Sequence, residues 1–153
     1  MTAGASTPEF SWPVTLSRMG RQGVFPIEAK PEERQALARR FGLLALDRLT
    51  AEVRLTRRAG GLIELTAELS ADVVQACVVS LEPVPATLTE SFSLFYAETA
   101  QDDPANMLPE DEIIEIYEND TIDIGEAVAQ QLALALDPYP RAPGVAAGQA
   151  GTG

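Results

Sequence analysis

The 153-residue chain contains no histidine, and that absence removes more chemistry than any residue present supplies. The commonest general base, the Ser-His-Asp and Cys-His nucleophile pairs and the commonest metal ligand are all excluded together. A single cysteine, Cys77, leaves no possibility of an intramolecular disulfide. No apolar run approaches the roughly 18 residues that a membrane-spanning helix needs. Residues 1–8 have neither a basic start nor an apolar run, so they are not expected to act as a secretory leader, and a cytoplasmic location is the default expectation. Aromatic residues make up only 6%, too few for the sugar-binding cleft that would accompany a glycosidase carboxylate pair. Neither the glycines at 20 and 23 nor Gly60-Gly61 are followed by the Lys and Ser/Thr of a phosphate-binding loop.

Basic residues are also scarce in one half. Residues 61–153 hold one, Arg141, against seventeen acids; residues 1–60 hold ten against six, so the halves carry −16 and +4. Such polarity biases partners without dictating a fold: the acidic half attracts cations and repels phosphate. An apolar fraction of 46% is nonetheless that of an ordinary globular protein.

The patterning indicates one α+β domain over residues 9–138, between a flexible N-terminus (1–8) and a disordered tail (139–153) rich in Gly, Ala and Pro. Phe10, Trp12, Val14 and Leu16 alternate with polar residues and Pro13, as in an edge strand; a short extended piece follows through Val24, Phe25 and Ile27. Pro31 suits the first position of a helix, Glu32 and Glu33 its first turn, Arg39 and Arg40 its last, and Gly42 its left-handed end. Leu37, Phe41 and Leu44 are expected to form its apolar stripe. Leu49–Thr56 and Ile63–Ser70 alternate with period two around Gly60-Gly61, the pattern of an antiparallel hairpin. The apolar run Val73–Leu81 reads as a central strand broken by Pro83 and Pro85, with Cys77 buried on the same face as Val79 and Leu81. Leu88–Tyr96 reads as a further strand, with Phe92, Leu94 and Tyr96 on one face. Residues 98–120 form an acidic loop, its later part anchored by Ile113, Ile114 and Ile116. Asp123 and Glu126 have capping-box spacing, so that Asp123 accepts from the Glu126 N–H. Val128, Leu132, Ala135 and Leu136 continue that helix up to Pro138. The expected architecture is a small antiparallel sheet or partial barrel with two packing helices.

Eleven carboxylates lie between Glu98 and Glu126 with no Lys or Arg among them. A calcium loop needs acids at alternate positions ahead of a glycine, and Asp120, Ile122 and Gly125 do not meet that spacing. A solvated acidic loop is the simpler reading. Arg39, Arg40, Arg54, Arg57 and Arg58 are the candidate RNA contacts, weighed against ordinary surface charge.

Three segments in order carry a resemblance: Ala76-Cys77-Val78-Val79-Ser80-Leu81-Glu82-Pro83, the acidic loop, and Ile122-Asp123-Ile124-Gly125-Glu126 leading to Leu134-Ala135-Leu136-Asp137-Pro138. Together they resemble the bacterial YceD family, the large ribosomal RNA subunit accumulation proteins, over about residues 10–143. The motif positions are Cys77, Leu81, Asp123, Gly125 and Glu126. The resemblance implies a role in synthesis, processing or stability of large-subunit (23S) ribosomal RNA, with no established catalytic activity. Many members carry Cys-x-x-Cys at the position of Cys77, which suggests zinc in those proteins. Here the second position is Ser80, and one thiol without histidine cannot make a four-ligand zinc site, so no cofactor is expected. Within this resemblance the first reading is a ribosome-assembly factor that holds a basic large-subunit ribosomal protein through Glu110, Asp111, Glu112 and Glu115. A direct rRNA binder using the basic half comes second, and a metal-dependent nuclease using Asp120 and Asp123 third. No membrane or small-molecule partner is expected.

Overall fold

The computed structural model describes residues 9–98 and 114–141. The fold is α+β, and its main sheet is open, not closed into a barrel. Five strands lie in the order β2 (Gln22–Glu28), β3 (Ala45–Arg57), β4 (Ile63–Ala76), β5 (Pro83–Glu98) and β6 (Ile114–Tyr117). The first four are antiparallel neighbours, and β6 joins β5 in parallel. A separate two-stranded ribbon pairs β1 (Pro13–Thr15) with β7 (Thr121–Asp123). Two α-helices, α1 (Pro31–Phe41) and α2 (Ile124–Ala135), pack on one face of the main sheet, α1 over β3 and α2 over β4 and β5.

Period-two alternation builds that face. Leu49, Ala51, Val53 and Leu55 from β3 and Ile63, Leu65, Ala67, Leu69, Ala71 and Val73 from β4 are all buried, with Leu37 of α1 and Ile124, Val128 and Leu132 of α2 closing over them. Each fully buried Leu or Ile contributes about 2 kcal/mol of transfer free energy. The opposite face of the same strands carries Thr50, Glu52, Arg54, Thr66, Glu68 and Ser70, which are exposed or half-buried.

The ends of α1 follow its sequence. The Glu33 carboxylate accepts the Lys30 N–H at 2.7 Å, and Pro31 fills the first helical position. Gly42 takes φ +70° while the Leu43 N–H reaches back to the Ala38 carbonyl at 2.8 Å. That left-handed residue reverses the chain, so Leu44 lies outside the helix and is 55% exposed; Leu43 turns inward instead. A bulge between Leu46 and Arg48 then swings Arg48 to the outer face, where Asp72, Ser70 and Thr50 hold it.

Three further segments differ from the patterning. Pairing in the Phe10–Leu16 segment is confined to β1; Phe10, Val14 and Leu16 are buried as alternation requires, while Trp12 stays exposed. The apolar run Val73–Leu81 is not one strand, because β4 ends at Ala76 and residues 77–82 form a tight turn. Val79 and Leu81 therefore face solvent, and Pro83 and Pro85 begin β5 instead of breaking a strand. Residues 114–117 of the expected acidic loop form a strand, β6, in which Ile116 is half-exposed and Tyr117 packs against the core; Ile113 lies outside the described residues.

Candidate functional site

The motif residues Asp123, Gly125 and Glu126 converge at the start of α2 on the segment 9–17. Asp123 caps the helix, its carboxylate accepting the Glu126 N–H at 3.1 Å. The same carboxylate accepts the Trp12 N–H and the Ser11 hydroxyl, each at 2.7 Å, and the Ile124 N–H donates to the Trp12 carbonyl at 3.0 Å. Gly125 is required for this closeness: a Cβ there would stand 2.7 Å from the Phe10 carbonyl oxygen and 2.9 Å from the Trp12 nitrogen. Glu126 takes a two-pronged contact from Arg40 of α1, at 3.0 and 3.1 Å, and Arg40 also reaches Glu9. Burial works against ionising Glu126, but hydrogen bonds from Arg40 and Gln130 outweigh it and hold its carboxyl below the ordinary value.

One turn upstream, Asn119 and Asp120 adopt φ +59° and +60° between Glu118 and Thr121, the two-residue hairpin turn for which Asn and Asp are suited. Asp120 receives the Ser17 N–H on its carboxylate at 3.0 Å and the Leu16 N–H on its carbonyl at 2.8 Å. Hydrogen bonding from Ser17 lowers its carboxyl below the usual range. Nearby, the buried Tyr96 phenol is pushed well above its ordinary value, first by burial and then by Glu115, Asp123 and Glu126. Asp120, Asp123 and Glu126 form a clasp around the N-terminal segment, each already accepting hydrogen bonds from the protein itself.

Cys77 and Leu81 build the turn after β4. Cys77 is fully buried; its N–H donates to Glu82, its carbonyl accepts from Leu81, and its sulfur accepts the Ser80 N–H at 3.4 Å. Leu81 takes φ +65°, a left-handed conformation costly to a side chain with a Cβ, yet stays 74% exposed. The turn docks on the far end of the chain, where Val78 donates to the Pro140 carbonyl. Among the described residues, no group of three or more His, Cys, Asp or Glu side chains is arranged to hold a metal ion.

The structure does not gather the candidate RNA-contacting arginines into one patch. Arg40 is held in the clasp. Arg57 donates to the Gly20 and Leu16 carbonyls at 2.6 and 2.5 Å, which fixes the turn before β2. Arg58 pairs with Glu64 across the hairpin. Arg39 and Arg54 make no ion pair with a described residue, but one lies on α1 and the other on the outer face of β3. Of the candidate acids, Glu115 is exposed on β6, directly across from Tyr96; Glu110, Asp111 and Glu112 lie outside the described residues.

Pattern reading passed over two acids on the sheet. Glu52 and Glu68 stand opposite each other on the outer faces of β3 and β4, both exposed, and neither pairs with a described cation. The signal was present in the register: two alternating strands joined at Gly60-Gly61 bring these residues level.

No described helix is long and apolar enough to cross a membrane. No curated protein and no solved structure matches the chain. A family model described as large ribosomal RNA subunit accumulation protein YceD matches residues 65–153, from near the start of β4 through the Cys77 turn and the whole α2 side of the clasp. The chain thus belongs to the YceD family.

Proposed function

We propose that this protein is a non-catalytic cytoplasmic factor in the accumulation of large-subunit (23S) ribosomal RNA that works by contacting basic ribosomal proteins during assembly. The observation that carries the reading is how its charges are disposed. Arg40, Arg48, Arg57 and Arg58 are engaged by groups of the protein itself, while the surface acids Glu52, Glu68 and Glu115 make no ion pair with a described cation. A surface so divided favours cationic polypeptides over phosphate. In this reading Glu110, Asp111, Glu112 and Glu115 hold a basic large-subunit protein until RNA replaces them. The hydrogen bonds accepted by Asp120 and Asp123 support a structural role over acid–base or metal chemistry, because one oxygen of each carboxylate already serves main-chain donors.

The test is a tagged full-length protein recovered from native extract at low and moderate salt, with and without nuclease. Large-subunit proteins or precursor particles should be recovered, and protein contacts should survive nuclease. The E110Q/D111N/E112Q/E115Q variant should lose them; undiminished recovery would remove the acidic segment from the mechanism. A second reading, direct RNA contact, draws on Arg39 and Arg54, which make no ion pair with a described residue. It requires salt-sensitive rRNA binding whose salt slope falls by about one for each of Arg39→Ala and Arg54→Ala.

A further inference from the structure

Two central rows on the face of the sheet opposite the helices lie under no described element. Reading from β2 to β5, one row is Glu28, Thr50, Ser70 and Thr89, and the next is Pro26, Glu52, Glu68 and Ser91. Together they line one depression of about 680 Å³. Residues placed as Glu52 and Glu68 are have Cβ atoms about 5 Å apart, and like charges in that position cost stability. No neighbouring cation pairs with either glutamate: Arg48 is held by Asp72, and Arg54, one row further on, makes no ion pair with Glu52 or Glu68. The isolated domain gains nothing from two carboxylates held together, whereas a cation seated between them would turn the repulsion into attraction. Beyond Pro26 and Glu28 at the β2 end, the remaining side chains of the two rows are the short hydroxyls of Thr50, Ser70, Thr89 and Ser91, which can hydrogen-bond a chain lying across them. Phosphate would be repelled.

We propose that this face docks an extended lysine- or arginine-bearing polypeptide segment, one cation of which lies between Glu52 and Glu68. The natural partner rests on the protein-contact reading above, but the residues are other than Glu110, Asp111, Glu112 and Glu115.

The experiment is a titration of the isotope-labelled full chain with a synthetic alternating Lys-Ser peptide at low salt, followed by amide chemical shifts. Shifts should move at Thr50, Glu52, Glu68, Ser70 and Ser91. The E52Q/E68Q variant, with its spectrum otherwise intact, should bind about five- to tenfold more weakly, the scale of two exposed ion pairs. E110Q/D111N/E112Q should leave the sheet shifts in place. Equal affinity in E52Q/E68Q, or shifts confined to other surfaces, overturns the proposal, as would movement of these amides with oligouridylate in place of the peptide. Failure of the extract experiment with the sheet shifts intact counts against the assembly reading and not against this surface.

Discussion

The acids of the clasp and the acids of the outer sheet face have the same chemistry and opposite situations. Asp120, Asp123 and Glu126 each accept hydrogen bonds from elements distant in sequence, so their charge is absorbed in holding residues 9–17 and α1 against α2. Glu52 and Glu68 lie level on adjacent strands and repel one another with no described cation between them. A net charge of −12 therefore says little about which carboxylates a partner can use. Position decides: an acid at a helix start or beside exposed N–H groups is consumed internally, and an acid on an uncovered pleat is available.

The sharpest way to break this contrast is to open the clasp. Gly125→Ala places a methyl group against the Phe10 and Trp12 main chain, which cannot swing aside as a side-chain tip would. We expect a loss of about 3 kcal/mol, at the upper end of overpacking costs, measured by denaturant unfolding. A loss below about 0.5 kcal/mol would mean that the N-terminal segment is not held there.

Acid should weaken the clasp. The carboxyls of Asp120 and Glu126 are lowered in the folded protein, so the stability they contribute is present above their ordinary values of 3.8 and 4.5 and is lost as pH falls below them. The unfolding midpoint should fall between about pH 5 and pH 3, and Arg40→Gln should flatten that fall by removing the partner of Glu126. An equally steep decline in the variant would place the acid sensitivity elsewhere. The smallest effect belongs to the sheet face. E52Q/E68Q should raise stability by about 0.3–0.5 kcal/mol in low salt, and the gain should shrink as salt screens the repulsion. A loss of stability would mean that the two carboxylates support the fold.

Much of the fold was legible because local rules suffice for it. Pro31 and Gly42 bracket α1, Asp123 caps α2, and strict alternation around Gly60-Gly61 yields the long hairpin with its buried and exposed faces. The misreadings occur where periodicity loses its meaning. A continuous apolar run such as Val73–Leu81 has no period to distinguish strand from turn, and helical spacing carried past Gly42 counts Leu44 on a face that the reversed chain no longer has. The candidate site was less legible still. Arg40 and Glu126 are 86 residues apart, and Ser11 and Asp123 are 112 apart, distances over which no sequence window operates.

By itself, then, the sequence determined the two helices, the long hairpin with its two faces and the chemistry on offer: no histidine, one thiol and an excess of acid concentrated after residue 60. These follow from composition and from steric preferences that act over a few residues. Only the tertiary structure decided that Asp123, Gly125 and Glu126 form a socket for the N-terminal segment, that Arg57 braces a turn, and that Glu52 meets Glu68. Each of those outcomes depends on which distant groups the packed sheet and helices bring within hydrogen-bonding or Coulombic reach, and that reach is a property of the assembled fold alone.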